Sequence, residues 1–296
     1  MNNKCFNLNF YLLLLFIIFI QQFLTCSKTT STQITGGSGA GNPGGYVTVA
    51  LIVDTLIQNN LSKNSYNTLK LNKNLVLGTG SQFKIVDDSG LNMIVTEAII
   101  YIKAIHFMLE TGQQPSKLLE SFNQPLQYDS TSIILNGPFV FDAIGGICTP
   151  SIDTLKLPEA KYTGIKLLFD TNNLQKTPRA QAGKTNYSVE INGNFNYHST
   201  QRNFSFLLDV NQPIIYPHYN TFSVVRNDTA NINVIFNPQN WLKGISLLFC
   251  LDNNFIIFEN NGDLIITENS GQQGPCNAIE STIRRNLIDS GKLNVW

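Results

Sequence analysis

Charge is scarce in this chain. Asp, Glu, Lys and Arg together make up 14% of its 296 residues, against about 25% in an ordinary globular protein. The 20 basic and 20 acidic side chains cancel, and no long Lys/Arg block occurs, which argues against non-specific nucleic-acid binding. Histidine is scarcer still: His106, His198 and His218 are the whole set. None has another histidine or a carboxylate at ligand spacing, and C-x-x-C is absent, so no metal and no other cofactor is expected. The G-x-S-x-G elbow of serine hydrolases is missing too. Gly39, Gly41 and Gly44 satisfy G-x-G-x-x-G, but Pro43 lies inside the pattern and a strand follows it. A dinucleotide site needs a helix N-terminus there, so this match is rejected.

What is present is apolar material and uncharged polarity. At 43% hydrophobic, the chain can fill a core, and wholesale disorder is excluded. Asn supplies much of the remaining polarity, as at Asn192, Asn194 and Asn196. The length suits one large or two small domains.

The first 26 residues carry one charge, Lys4, followed by an apolar run from Phe10 to Ile20. That run is short for a membrane span, which needs about 20 residues. A basic start and a short apolar run describe a secretory signal peptide. Phe23, Leu24, Thr25 and Cys26 resemble a relaxed bacterial lipobox, in which Cys26 becomes the lipid-bearing first residue. Cleavage after Ser27, which would discard Cys26, is the rival. Residues 27–45 are rich in Ser, Thr and Gly and cannot repay their ordering entropy, so they read as a linker. The expected location is a bacterial cell envelope, outer membrane or surface, with the N-terminal lipid as membrane contact; the alternative is a secreted protein.

From Tyr46 onward the pattern is strands and turns. Val47, Val49, Leu51 and Val53 alternate with Thr48, Ala50, Ile52 and Asp54. Alternation is sharpest at 187–197: Tyr187, Val189, Ile191, Phe195 and Tyr197 on one face, Ser188, Glu190, Asn192, Asn194 and Asn196 on the other. One buried face and one wet face are expected there. Phe204, Phe206, Leu208 and Val210 repeat the pattern. Further strands read at 131–141, 161–169, 221–225, 230–236 and 246–251. Asn261 and Gly262 signal a hairpin between Phe255–Phe258 and Asp263–Thr267. Met93–Leu109 is apolar on both faces, and its β-branched content favours a strand over a buried helix. Short helices are expected from Pro115 to Phe122 and at the C-terminus. There Ile279, Ile283 and Leu287 share one face, Asn277 and Glu280 have capping-box spacing, and Gly291 closes the end. The expected fold is all-β, an antiparallel β-sandwich with a short C-terminal helix. Residues 46–212 form the sandwich, and 213–296 a β-rich extension packed on the same core.

Residues 96–107, from Thr96 through Tyr101 and His106 to Phe107, resemble the opening strand of a bacterial lipoprotein domain of unknown function, the family numbered 4382. Residues 139–146, 157–170 and the strand pair 188–196 and 204–210 resemble its later segments in the same order, covering roughly residues 46–212. Glycine is usual where Lys161 stands. The resemblance implies an envelope-associated β-sandwich and brings no catalytic residues.

Three cysteines remain after Cys5 and Cys26. Cys250 and Cys276 flank the expected hairpin, and a bridge between them would leave Cys148 as a small buried hydrophobe. Three reduced core cysteines are the equal alternative. Asn60, Asn186, Asn203 and Asn227 begin N-x-S/T sequons. The candidate carboxylates, Asp87 with Asp88 and Asp252 with Glu259 and Asp263, read as solvated loop charges. Tyr216, His218 and Tyr219 form the best candidate binding loop, suited to a sugar ring or a protein partner. Trp241 reads as a core plug. A non-enzymatic envelope protein with a protein or glycan ligand is expected. The alternatives are an exported carbohydrate-active hydrolase, which would need two carboxylates about 5–9.5 Å apart, and a structural subunit of a surface assembly.

Overall fold

Residues Asn92–Leu109 form one strand of 18 residues, and the rest of the main sheet is laid along it. The computed structural model describes residues 44–53, 82–120, 126–152, 155–171, 187–268, 270 and 274–296. The apolar run, Cys26, the linker up to residue 43, and the sequons at Asn60 and Asn186 lie outside these residues.

In chain order come β1 (Gly44–Val53), β2 (Phe83–Val86), β3 (Asn92–Leu109), α1 (Pro115–Leu119), β4 (Gln127–Tyr128) and β5 (Ser132–Asp142). They are followed by β6 (Ile147–Thr149), β7 (Leu155–Pro158), β8 (Ala160–Phe169), β9 (Val189–Tyr197), β10 (Thr200–Leu208) and β11 (Ile214–Val224). The chain finishes with β12 (Thr229–Phe236), α2 (Leu247–Asp252), β13 (Leu264–Ile266), α3 (Ile279–Asp289) and β14 (Lys292–Val295).

β3 is long enough to carry two strands in succession on each edge. Ile102 pairs with Phe139 of β5 and with Phe169 of β8, while Ile99 pairs with Asp142 of β5 and Glu190 of β9. So β2 and β5 share one edge, and β9 and β8 share the other. Two residues of β3 are left out of register, Thr96 against β9 and Lys103 against β5 and β8, and a further shift falls between Met108 and Leu109 against β8. Each extra residue moves the inward phase by one position. Val95 and Ala98, then Ile102 and Ile105, therefore all face the core. This is why the segment looks apolar on both faces in sequence.

The ten-stranded sheet runs β11-β8-β3-β9-β10-β13, with β2, β4, β5 and β6 attached through β3 and β5. The second sheet has the order β14-β12-β1-β7. Gly44 and Gly45, assigned to the linker by composition, already pair with Pro158 and Leu157. One buried cluster draws on both sheets: Val47, Val49, Leu51, Ile232 and Val234 from the smaller, Ile100, Phe107, Ile165 and Phe206 from the larger. The fold is an all-β sandwich with a C-terminal helix. It is mixed rather than wholly antiparallel, since β1 pairs β12 and β10 pairs β13 in parallel. Residues 213–296 supply β12 and β14, half the strands of the smaller sheet.

Four local expectations need correction. Residues 246–251 are not a strand but enter α2, because the Asp87 carboxylate accepts the Leu247 and Leu248 amides at 2.6 and 3.4 Å and so caps a helix start. Asp87 itself is buried, not solvated. Asn261 and Gly262 do make a turn, with Glu259 N–H bonded to the Asp263 carbonyl at 2.8 Å. No ladder extends back from it through Phe255–Phe258; β13 pairs with β10 instead. At α3 the capping residue is Ala278, without a side-chain cap. Glu280 is buried and pairs with Arg284 at 3.4 Å, so its carboxylate is engaged forward along the helix. Ile279, Ile283 and Leu287 do face the core. Trp241 fills the space beneath α3, its Nε1 donating to Ser290 Oγ at 3.3 Å and its ring meeting Phe83 edge-on.

Candidate functional site

Four groups of polar and aromatic side chains lie along the large sheet. The first is buried. Glu97 and Asn192 are directly paired, as are Ile99 and Glu190, which places both acids on the sheet face away from the main core. Asn192 Nδ2 donates to Glu97 Oε2 at 2.6 Å and Glu190 Oε1 at 2.8 Å. Glu190, Asn192 and Ser188 have 0% exposure, so the expected wet face of this strand is closed over here. Tyr187, expected on the inward face with Val189, instead joins Tyr101 and Leu207 in a small apolar cluster on the Glu190 side, because residue 187 precedes the regular ladder of β9. Burial, with the charges of Glu190 and Glu97, pushes the Tyr101 hydroxyl up to about 12. The two carboxylates share one amide, with Glu190 fully buried and Glu97 half-buried. Such an arrangement holds strands together rather than taking up a substrate.

A second group lies near the other end of β3. His106 pairs with Lys166 across the ladder, and Asp129 meets both, at 3.3 Å from His106 Nδ1 and 3.7 Å from Lys166 Nζ. Burial, then the Lys166 charge, lowers the His106 pKa, with Asp129 opposing. Asp129 is itself held below its ordinary value, since Thr131 and Lys166 outweigh its partial burial. His106 is therefore a nearly buried imidazole between Lys166 and Asp129, with its neutral form favoured relative to a free histidine.

The third group contains the loop expected to bind. Pro217 pairs with Gly164 and Phe222 with Tyr162, so residues 218–221 leave the β11 ladder as an excursion opposite Thr163 alone. Tyr219 is 99% exposed at this excursion. His218 Nδ1 meets the Asn220 carbonyl, and its ring lies edge-on to Phe222. Tyr216 does not belong to the exposed set. It is 4% exposed and packs edge-on against Phe236, and a Cβ at Gly291 would strike its ring. Strand alternation turns Tyr216 inward before the excursion begins.

A fourth group, at the tip of the β9–β10 hairpin, escaped the sequence because its members are remote. Tyr197 OH donates to Asp252 Oδ1 at 3.0 Å, and His198 Nε2 lies 3.0 Å from the same oxygen. Phe258 packs on Tyr197 with ring centroids 5.2 Å apart, and the Arg202 guanidinium sits 5.0 Å above the Phe258 ring. Some burial and the bond to Asp252 raise the Tyr197 hydroxyl above its ordinary value. Alternation could place Tyr197 and Arg202, and Asp252 was a candidate carboxylate, but nothing local brought Asp252 or Phe258 to this hairpin tip.

No protein-family model and no curated protein matches this chain. A solved structure, MbnP from Methylosinus trichosporium, aligns with 12% identity over 67% of this chain and 77% of that chain. Its TM-score is 0.27, too slight a likeness to bear on fold or function.

Cys250 and Cys276 form a disulfide with Cα atoms 6.0 Å apart, tying α2 to the turn ahead of α3. Cys148 lies half-buried on β6. The remaining candidate carboxylates are engaged separately. Asp88 accepts the Gly244 amide at 3.0 Å, and Asp263 accepts the side-chain amides of Asn203 and Asn261. Among the described residues, no three His, Cys, Asp or Glu side chains group as a metal would require, and no helix is long and apolar enough to cross a membrane.

Proposed function

We propose that this chain is an exported, non-enzymatic protein held at a bacterial cell envelope by a lipid on Cys26, whose sandwich presents a recognition surface to a protein or glycan partner. The observation that carries the recognition role is Tyr219: an aromatic ring 99% exposed on a short excursion whose flanks, Tyr216 and Phe222, are locked in the core. Exposed tyrosine on a rigid base offers large contact area at low entropic cost. The apolar run Phe10–Ile20, the lipobox-like Cys26 and the linker after it support export and tethering.

Metabolic labelling with a fatty-acid probe tests the anchor. Wild-type protein should take up label and partition with membranes, and Cys26→Ser should do neither. Equal labelling of the two would remove the anchor and leave a secreted protein. A photo-crosslinking amino acid in place of Tyr219 tests the contact in intact cells. A discrete crosslinked species should form there and be absent with the same group at Asn227, an exposed turn residue elsewhere on the surface. Identical patterns at the two positions would argue against a contact at the excursion.

A further inference from the structure

The hairpin joining β9 to β10 is tight: Tyr197 pairs with Thr200, leaving His198 and Ser199 as a two-residue turn. Both take left-handed backbone angles, φ 45° and 65°. Such turns favour Asn-Gly, because a Cβ is crowded in this conformation. Two crowded residues stand where unstrained ones would close the same hairpin. Strain of this kind gathers at binding sites, where the side chain is needed in place.

What the turn delivers is the His198 imidazole, 67% exposed, onto Asp252 Oδ1. Tyr197 occupies the same oxygen. The second Asp252 oxygen has no partner among the described residues. Beside this pair, Arg202 lies over Phe258 and makes no hydrogen bond or ion pair among the described residues; its Nε is a buried donor left unmatched. The guanidinium also lies against the Asn261–Gly262 turn. Gly262 has φ 83°, and a Cβ there would strike Arg202 Nη1. A stacked arginine without a carboxylate partner, next to an aromatic pair and an open carboxylate–imidazole pair, combines anion recognition with hydroxyl recognition.

We propose that this rim binds an acidic saccharide. Arg202 takes the sugar's carboxylate or sulfate, Asp252 and His198 hydrogen-bond its hydroxyls, and Tyr197 with Phe258 provides the aromatic wall. The site is independent of Cys26 and of Tyr219, so it stands or falls apart from the anchor and the excursion.

The test uses the full chain, extracted in detergent, on an array of neutral, uronate, sialylated and sulfated oligosaccharides, followed by calorimetry with the strongest acidic member and its neutral counterpart. The acidic sugar should bind at least about tenfold tighter than the neutral one, and rising salt should weaken it. Arg202→Met should lose about tenfold or more and erase the preference, while Arg202→Lys should keep part of it. Asp252→Asn should weaken both sugars. His198→Gly is the sharpest variant. It removes the imidazole but relaxes the turn, so binding should fall about tenfold while the melting temperature holds or rises. No binding of any acidic sugar at about 1 mM would overturn the proposal. Equal affinity for the neutral counterpart would do the same, as would wild-type binding by Arg202→Met. A His198→Gly protein that melts early yet binds normally would assign His198 to the turn and remove it from the site.

Discussion

Asp87 and Leu247 stand 160 positions apart, and the buried carboxylate of one accepts the backbone amide of the other at 2.6 Å. The same side chain also accepts from Leu248 N, Leu91 N, Ser89 N and Ser89 Oγ. One carboxylate thus closes the β2–β3 turn and starts α2.

Asp87→Ala should lower stability by about 3–5 kcal/mol, because it strands several buried donors at once. Urea unfolding would show this as a lower midpoint at unchanged slope. Asp88→Ala, on the adjacent exposed residue, should cost at most about 1 kcal/mol. Equal costs for the two would refute the capping role.

His106 makes stability pH-dependent. Burial and Lys166 hold its pKa below the ordinary 6.5, so the unfolded chain takes up a proton at higher pH than the folded one. The contribution is fully present above 6.5 and is lost as pH falls from there through the folded pKa. Asp129, held below its ordinary 3.8, adds an acid-side loss at still lower pH. Unfolding measured from pH 7.5 to 4.5 should show falling stability, and Lys166→Met should flatten the slope in that window. An unchanged slope would count against the coupling.

Tyr216 and Tyr219 are three residues apart with opposite roles. Tyr216→Ala should cost about 3–5 kcal/mol by opening the core under Gly291. Gly291→Ala should cost about 1–3 kcal/mol by pressing on the same ring. Tyr219→Ala should stay within about 0.5 kcal/mol of wild type. Thermal melts of the three variants separate these outcomes, and a destabilised Tyr219→Ala would contradict the exposed placement.

The Cys250–Cys276 bridge spans 26 positions. Replacing both cysteines with Ala should cost about 3 kcal/mol, chiefly through the unfolded state. Proteolysis of the native protein should then cut first between residues 253 and 263, which are largely irregular. Cutting there at the wild-type rate would argue that the bridge does not hold this segment.

Much of the fold was legible from local pattern, and the limits were physical. Period-two alternation in Val47–Val53 and Phe204–Leu208 fixes a strand and its inward face, because side chains alternate whatever the strand pairs with. The same rule gives the inward turn of Val189, Ile191 and Phe195. It cannot say whether the other face meets water. Glu190 and Asn192 look like a wet face, yet both are fully buried, on the side where Tyr101, Tyr187 and Leu207 cluster. Residues 246–251 read as a strand from their apolar run, and a carboxylate far upstream caps them as a helix instead.

The candidate rim shows the same division. The sequence by itself determined a charge-poor chain of alternating strands with no net charge, and raised export as an expectation. Tertiary structure alone decided that Asp252 meets His198 and that Phe258 lies beneath Arg202, since those contacts cross some 55 positions. Alternation and turn chemistry act between neighbours and are written locally. Contacts between remote segments depend on register, bulges and buried caps, and these are settled only when the sheets assemble.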